Sequence, residues 1–195
     1  VSREPEKTRR RVGYCPQFDA HFTNMTGREH VELYASIKGV PVALVKEAAA
    51  AKLAEVGLND FDSDRLCAGY SGGMKRRLSL ACATIGQPQI VFLDECSTGV
   101  DPVARREIWQ MISDMVISRN VPPEERTSVI LTTHSMEECE ALCPIIAIMA
   151  NGKLRIKINS FLLPLLRHIH DRLANCCSSY YLKQWIWSRS FKLAK

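Results

Sequence analysis

No stretch of about 18 uncharged apolar residues runs through these 195 residues, and the opening VSREPEKTRRR lacks the apolar core of a signal peptide. The chain is therefore expected neither to span a membrane nor to enter the secretory route. Internal repeats and low-complexity segments are also absent. The eight cysteines are scattered at 15, 67, 82, 96, 139, 143, 176 and 177 rather than spaced as a disulfide framework, so reduced, mostly buried thiols are expected. Cys139 and Cys143 lie one helical turn apart with no second ligand pair at metal spacing, which argues against a zinc site. Acidic residues are scarce in the last part alone. Residues 151–195 hold nine Lys and Arg but only Asp171, a net +8, whereas residues 1–150 hold 17 basic and 20 acidic residues, a net −3. That break, near Asn151-Gly152, is the clearest boundary in the chain.

What is present alternates between two periods. Thr26-Gly27-Arg28-Glu29 reads as a capping box before a helix carrying Val31, Tyr34 and Ile37, and Pro41 is expected to open a second helix ending at Gly57. A third helix starts near Ser71 and carries Met74, Leu78, Ala81, Cys82 and Ile85 on one face, with Gly86 closing it. Three apolar runs follow: IVFLD (90–94), SVILTT (128–133) and IIAIM (145–149), each read as a buried strand of a parallel sheet. Between them Asp101-Pro102 caps a helix with Ile108, Ile112 and Met115 on one face, and Ser135 with Glu138 forms a second capping box. Asn151-Gly152 signals a hairpin into KLRIKI. Strand, helix, strand, helix, strand implies an α/β fold with a parallel sheet.

Four places carry candidate chemistry. Ser71-Gly72-Gly73 sets two poor helix formers, each costing about 1 kcal/mol against alanine, at a positive helix end, where a backbone can approach a phosphate closely. A capped flexible turn would give the same letters. Asp94 and Glu95 leave the carboxyl end of a strand toward opposite sides, so one suits Mg²⁺ and the other a water awaiting attack. Two solvated acids at a strand end are the alternative. His134 ends the next strand in the same way, either near Glu95 and a phosphate or as a plain helix cap. Gln17, in GYCPQFD, could bridge a metal and a water with its amide. Lys75, Arg76 and Arg77 are read as a solvated or partner-facing surface, with phosphate contact as the other option.

In this order and rough spacing, the motifs resemble an ATP-binding-cassette nucleotide-binding domain from about residue 11 to residue 155. YCPQFD, YSGGMKRRLS and FLDE followed by STGVDP are most similar to the A subfamily of ABC transporters. The resemblance implies an ABC ATPase fold of the P-loop NTPase type, with a parallel sheet and a helical signature subdomain at about 26–86. It implies that Gln17 is the Q-loop residue, that Ser71, Gly72 and Gly73 belong to the signature motif, and that Asp94 is the metal-associated Walker B aspartate. Glu95 would be the catalytic glutamate, Asp101 the D-loop aspartate and His134 the switch histidine. The implied cofactors are ATP and Mg²⁺. The implied partners are a second nucleotide-binding domain and the transmembrane domains of a transporter, with the chain at the cytosolic face of a membrane and lipid-like cargo.

Three features depart from the family pattern. No G-x-x-x-x-G-K-[ST] occurs, since the only Gly-Lys pair, Gly152-Lys153, is followed by Leu154. Residues 1–155 are accordingly expected to be an N-terminally incomplete ATPase domain, inactive and weak in binding Mg-ATP by itself. Cys96 stands where the family has proline. Residues 156–195 no longer resemble the family and are expected to form a divergent basic tail outside the cassette, with an apolar cluster from Phe161 to Leu166. Two rival readings remain: a non-hydrolysing dimer partner that donates the signature motif, and a soluble ABC protein acting on nucleic acid. The latter rests only on the basic tail with Tyr180, Tyr181, Trp185 and Trp187, and no nucleic-acid partner is expected.

Overall fold

The computed structural model of the chain describes residues 5–117, 127–150 and 152–159. An exposed helix α1 (Pro5–Arg11) leads into β1 (Val12–Cys15). The helical block follows: α2 (Gly27–Lys38), α3 (Val45–Glu55), α4 (Asp60–Ser63) and α5 (Gly72–Thr84). Then come β2 (Ile90–Asp94), α6 (Pro102–Ile117), β3 (Ser128–Thr132), α7 (Met136–Leu142), β4 (Ile145–Ala150) and β5 (Lys153–Asn159).

Strands β1, β2 and β3 lie side by side in that order, all parallel, with Val91 opposite both Gly13 and Val129. Parallel neighbours need long crossovers, supplied by the helical block between β1 and β2 and by α6 between β2 and β3. IVFLD is therefore the central strand, but it is not buried on both faces as its composition predicts. Val91 and Leu93 pack with Cys15, Val129 and Leu131 against Leu80 and Ala83 of α5 and Ile108 and Ile112 of α6. Each of these Val, Leu and Ile side chains contributes roughly 1.5–3 kcal/mol by leaving water. The opposite face keeps Ile90 and Phe92 each 38% exposed and Tyr14 57% exposed, because the two helices cover one side of the sheet and no buried cluster of described residues forms on the other. The short strand β1 has no alternating signature to announce it. Its Gly13 is required by contact, since a Cβ there would lie 2.1 Å from the Ala83 carbonyl oxygen of α5.

Thr26 and Glu29 make the expected reciprocal capping box on α2, with Glu29 N donating to Thr26 Oγ1 at 3.1 Å and Thr26 N to Glu29 Oε2 at 2.7 Å. The helix expected from Pro41 begins with a 3₁₀ turn (Val42–Leu44), so α3 itself starts at Val45. A second apolar cluster joins Val31 and Ala35 of α2, Ala49 and Leu53 of α3, and Leu78, Ala81, Cys82 and Ile85 at α5. Helix α5 thus buries two faces, one in each cluster, rather than the single stripe expected from its sequence.

The carboxyl-terminal part corrects two expectations. IIAIM is not a further strand of the parallel sheet: β4 pairs antiparallel with β5 in a separate two-stranded sheet. The tight connection through Gly152, at φ 70°, brings the next segment back beside β4 and satisfies its backbone locally, while Ile146 still packs into the main core. Ser135 does cap α7 through Glu138 N at 3.4 Å, but Glu138 does not reach back to complete a capping box. Its side chain is buried and accepts from Trp109 Nε1 at 3.0 Å, tying α7 to α6. Beyond position 155, β5 continues through Ile156, Lys157 and Ile158 to Asn159. The apolar cluster at Phe161 to Leu166 and the aromatic residues of the tail lie outside the described residues. Among the described residues, no helix is long and apolar enough to cross a membrane.

Candidate functional site

The carboxyl ends of β2 and β3 carry the acidic residues and the histidine, and the loop after β1 brings in Gln17. Parallel pairing sets Asp94 opposite Thr132, one residue before the turn on each strand. Thr132 Oγ1 donates to Asp94 Oδ1 at 2.5 Å, and Tyr14 OH reaches Asp94 Oδ2 at 3.4 Å. Desolvation and then the adjacent Asp94 carboxylate push the Tyr14 hydroxyl above its ordinary pKa, so it acts as a donor. Glu95 leaves the strand in the left-handed region at φ 46°, a costly conformation for a residue with a side chain. Its amide donates to the Thr132 carbonyl at 3.0 Å and to Thr132 Oγ1 at 3.2 Å. Thr132 therefore holds the side chain of one acid and the backbone of the other.

The Glu95 carboxylate is the meeting point. Gln17 Nε2 donates to Glu95 Oε2 at 2.9 Å, His134 Nδ1 stands 3.5 Å from the same oxygen, and Thr98 Oγ1 makes a long 3.5 Å contact with it. The His134 side chain is 62% exposed, so its ring can still turn toward a ligand. Cys96, in the position after Glu95, is fully buried, and burial pushes its thiol well above the ordinary range, which makes it inert core. The turn around it is closed by the Glu95 amide and by Thr98 N donating to the Glu95 carbonyl at 3.1 Å. Burial likewise raises the Cys15 and Cys67 thiols to about 11 and Cys139 to about 12, and all six described cysteines are buried thiols.

The remaining candidates stand apart from this cluster. Ser71 is the N-cap of α5, accepting from Met74 N at 3.2 Å. A Cβ on Gly72 would meet nothing within 4 Å, so its backbone faces open space, while Gly73 lies against Ala104 of α6. Asp101 Oδ1 accepts from Val103 N at 3.1 Å and Ala104 N at 3.0 Å, capping α6 as its sequence predicts. No hydrogen bond among the described residues joins Ser71, Gly72, Gly73 or Asp101 to Glu95.

Of the basic run, only Arg76 departs sharply from the expected surface. It is 4% exposed and donates to the carbonyls of Pro16 and Gln17 at 2.7 and 2.6 Å. Its spacing from Leu80 and Ala83 puts it on the helix face turned to the sheet, where a solvated role is impossible. Arg77 pairs with Glu107 and donates to the Gly57 carbonyl. The motifs include Tyr14, Arg76 and Thr98 without giving any of them a place beside Glu95 or Gln17, and Thr132 lies outside them. Strand register is the signal that finds Thr132, and helical spacing from the core of α5 is the one that finds Arg76.

A family model described as "ABC transporter" matches residues 1–98. "ATP-binding cassette sub-family A member 7" of Rattus norvegicus is 50% identical over 155 residues, which is 80% of this chain and 7% of that protein. "Phospholipid-transporting ATPase ABCA7" of Homo sapiens has the same identity and coverage. "Retinal-specific phospholipid-transporting ATPase ABCA4" of Homo sapiens is 48% identical over 144 residues, 74% of this chain and 6% of that protein. The chain thus spans under a tenth of the length of these curated relatives. Among solved structures, the dimeric post-hydrolysis state of an ATP-binding cassette bound to ADP and Pi superposes with a TM-score of 0.70 at 19% identity, covering 82% of this chain and 68% of that one. An ATP-binding subunit of an ABC transporter gives 0.64 at 24% identity, covering 87% and 65%. The α/β architecture is therefore the ABC ATPase fold, and the chain belongs to the ABC transporter family, with the curated relatives named here drawn from its A subfamily.

Proposed function

We propose that these residues are part of an ATPase domain that, in the intact protein, hydrolyses ATP to drive transport of phospholipid-like cargo by membrane-embedded partner domains. The observation that carries this reading is the convergence of Gln17, His134 and Thr98 on one oxygen of Glu95, beside Asp94. Phosphoryl transfer to water needs little covalent chemistry from a protein; it needs the nucleophile oriented and the developing charge stabilised. In this reading Glu95, held by Gln17, orients the attacking water and accepts its proton, and His134, exposed beside it, donates to phosphoryl oxygens.

The donor set suits Mg²⁺. Asp94 and Gln17 offer hard oxygens, the kind of ligand Mg²⁺ takes beside waters and phosphate oxygens. Asp94, oriented by Thr132 and Tyr14, and Gln17 are the residues that would hold it. When bound, the ion supplies positive charge against the phosphate oxygens. The open backbone of Gly72 at the start of α5 suits a phosphate held by a second nucleotide-binding domain, and Asp101 stands near the same helix end as a further contact to that partner. These 195 residues contain no Walker A lysine, so the phosphate cradle has to be supplied for a turnover assay.

The test uses the chain fused behind a phosphate-loop segment from an ABC relative. Glu95→Gln keeps a polar side chain of the same shape but removes the carboxylate, and it is expected to abolish ATP turnover while ATP-induced dimerisation persists. Undiminished turnover would remove Glu95 from its role and the reading with it.

A further inference from the structure

Arg76 is one of the few charged side chains that the described residues bury, and it sits one turn along α5 from the Ser71-Gly72-Gly73 start. A guanidinium cannot shed its proton, so burial demands acceptors. Those it finds are chiefly consecutive carbonyls: Nη1 donates to Pro16 O at 2.7 Å and Nη2 to Gln17 O at 2.6 Å, with a longer 3.9 Å contact from Nη1 to Cys15 Sγ. The Asp19 carboxylate, 3.8 Å from Nη1, supplies the countercharge. A planar fork bound to two successive carbonyls sets the orientation of the peptide between them, which a single-point cation could not do. Phe18, next in the chain, is 78% exposed and adds no apolar anchor on that side. The residue so fixed, Gln17, is the one whose side chain donates to Glu95 at 2.9 Å.

We infer that Arg76 is a positioning residue for Gln17: its guanidinium, bound to the Pro16 and Gln17 carbonyls, holds the Gln17 amide on Glu95 and ties that amide to the start of α5. The consequence for hydrolysis rests on the function proposed above for Gln17 and Glu95. Movement at Ser71–Gly73, where a partner's phosphate would dock, then reaches Glu95 through a rigid helix turn, one guanidinium and one side-chain amide. The charge of Arg76 is spent on the loop, so it is not itself a phosphate ligand.

The test follows the Gln17 side-chain amide by NMR in the unmodified 195-residue chain and three variants. Glu95→Ala removes the side-chain acceptor and marks the signal of a Gln17 amide no longer bound to it. In Arg76→Met the Gln17 signal is expected to travel most of the way to that position, and backbone exchange at Gln17 and Phe18 to quicken about tenfold, with the α2 and α3 amide shifts unchanged. Arg76→Lys, able to serve one carbonyl at a time, is expected to give an intermediate displacement. A Gln17 signal that moves in Glu95→Ala but stays in place in Arg76→Met overturns the role of Arg76 and leaves the proposed function standing. A signal indifferent to Glu95→Ala overturns the contact itself, and both readings with it. Should Arg76→Met fail to fold, the unmodified chain still decides: resolved, slowly exchanging Arg76 Nη protons support the clamp, and a signal averaged like that of the exposed Arg106 overturns it.

Discussion

The strand-end cluster and the helix-end loop are built in opposite ways. Around Glu95 the polar groups satisfy one another across long sequence separations: Gln17 reaches over from the loop after β1, and Thr132 spans both acidic residues from β3. Around Ser71 and Asp101 each side chain is used within a few residues of itself, as a cap for α5 or α6, and Gly72 faces open space. The first region is preorganised by the fold. The second is a locally capped edge that leaves Gly72 facing open space.

The largest effect that would break this contrast concerns His134. In the phosphate-loop fusion, His134→Ala is expected to lower ATP turnover by about a hundredfold or more, with the unfolding midpoint nearly unchanged because the ring is mostly exposed. A near-normal rate would reduce His134 to the residue that merely precedes α7.

Next is Thr132, the joint of the preorganised cluster. Thr132→Val keeps the shape but removes the donor to Asp94 and the side-chain acceptor for Glu95 N, and should destabilise the chain by about 1–3 kcal/mol in urea unfolding. Thr132→Ser should restore most of that loss. Equal stability of the valine variant would mean that the acids are not held from β3.

Ser71 tests the other region. Ser71→Ala removes only a cap and is expected to cost about 1 kcal/mol, while Ser71→Gly costs a few tenths, measured by the same unfolding transitions. A loss well beyond this would show that the helix end is tied into the fold more deeply than its local bonds suggest.

The smallest effect is a pH dependence at the seam between the regions. His21 bonds the Lys75 carbonyl and Ser79 Oγ of α5, each at 3.0 Å, and packs edge-on against His30. Desolvation holds its pKa below the ordinary histidine value of 6.5, against the opposing pull of the Lys75 carbonyl. As the pH falls, the unfolded chain takes up the proton first, so this contribution to stability is complete above about 6.5 and is lost as pH falls through the lower folded value. Urea midpoints should therefore drop as the pH falls below about 6.5, and less steeply in His21→Gln. Parallel profiles for the two proteins would remove His21 from the account.

Local chemistry made a good part of this protein legible from its sequence. The capping box at Thr26 and Glu29, the N-caps at Ser71 and Asp101, the strands IVFLD and SVILT and the hairpin at Gly152 are each decided within a few residues, and all are present. The order of the motifs likewise identified the family and singled out Gln17, Asp94, Glu95 and His134. What the tertiary structure alone decided is every matter of pairing across distance. A composition such as IVFLD cannot say which of its faces a helix will cover, nor IIAIM which strand it will join. Glu138 looks like half of a capping box until Trp109 takes its carboxylate. Arg76 looks like a surface charge until α5 buries its other side and the Pro16 and Gln17 carbonyls become its only nearby backbone acceptors among the described residues. The physical reason is the same in each case. Caps and periodicity are short-range terms written in neighbouring letters, whereas the burial of a charge or a strand face depends on what the rest of the chain brings against it.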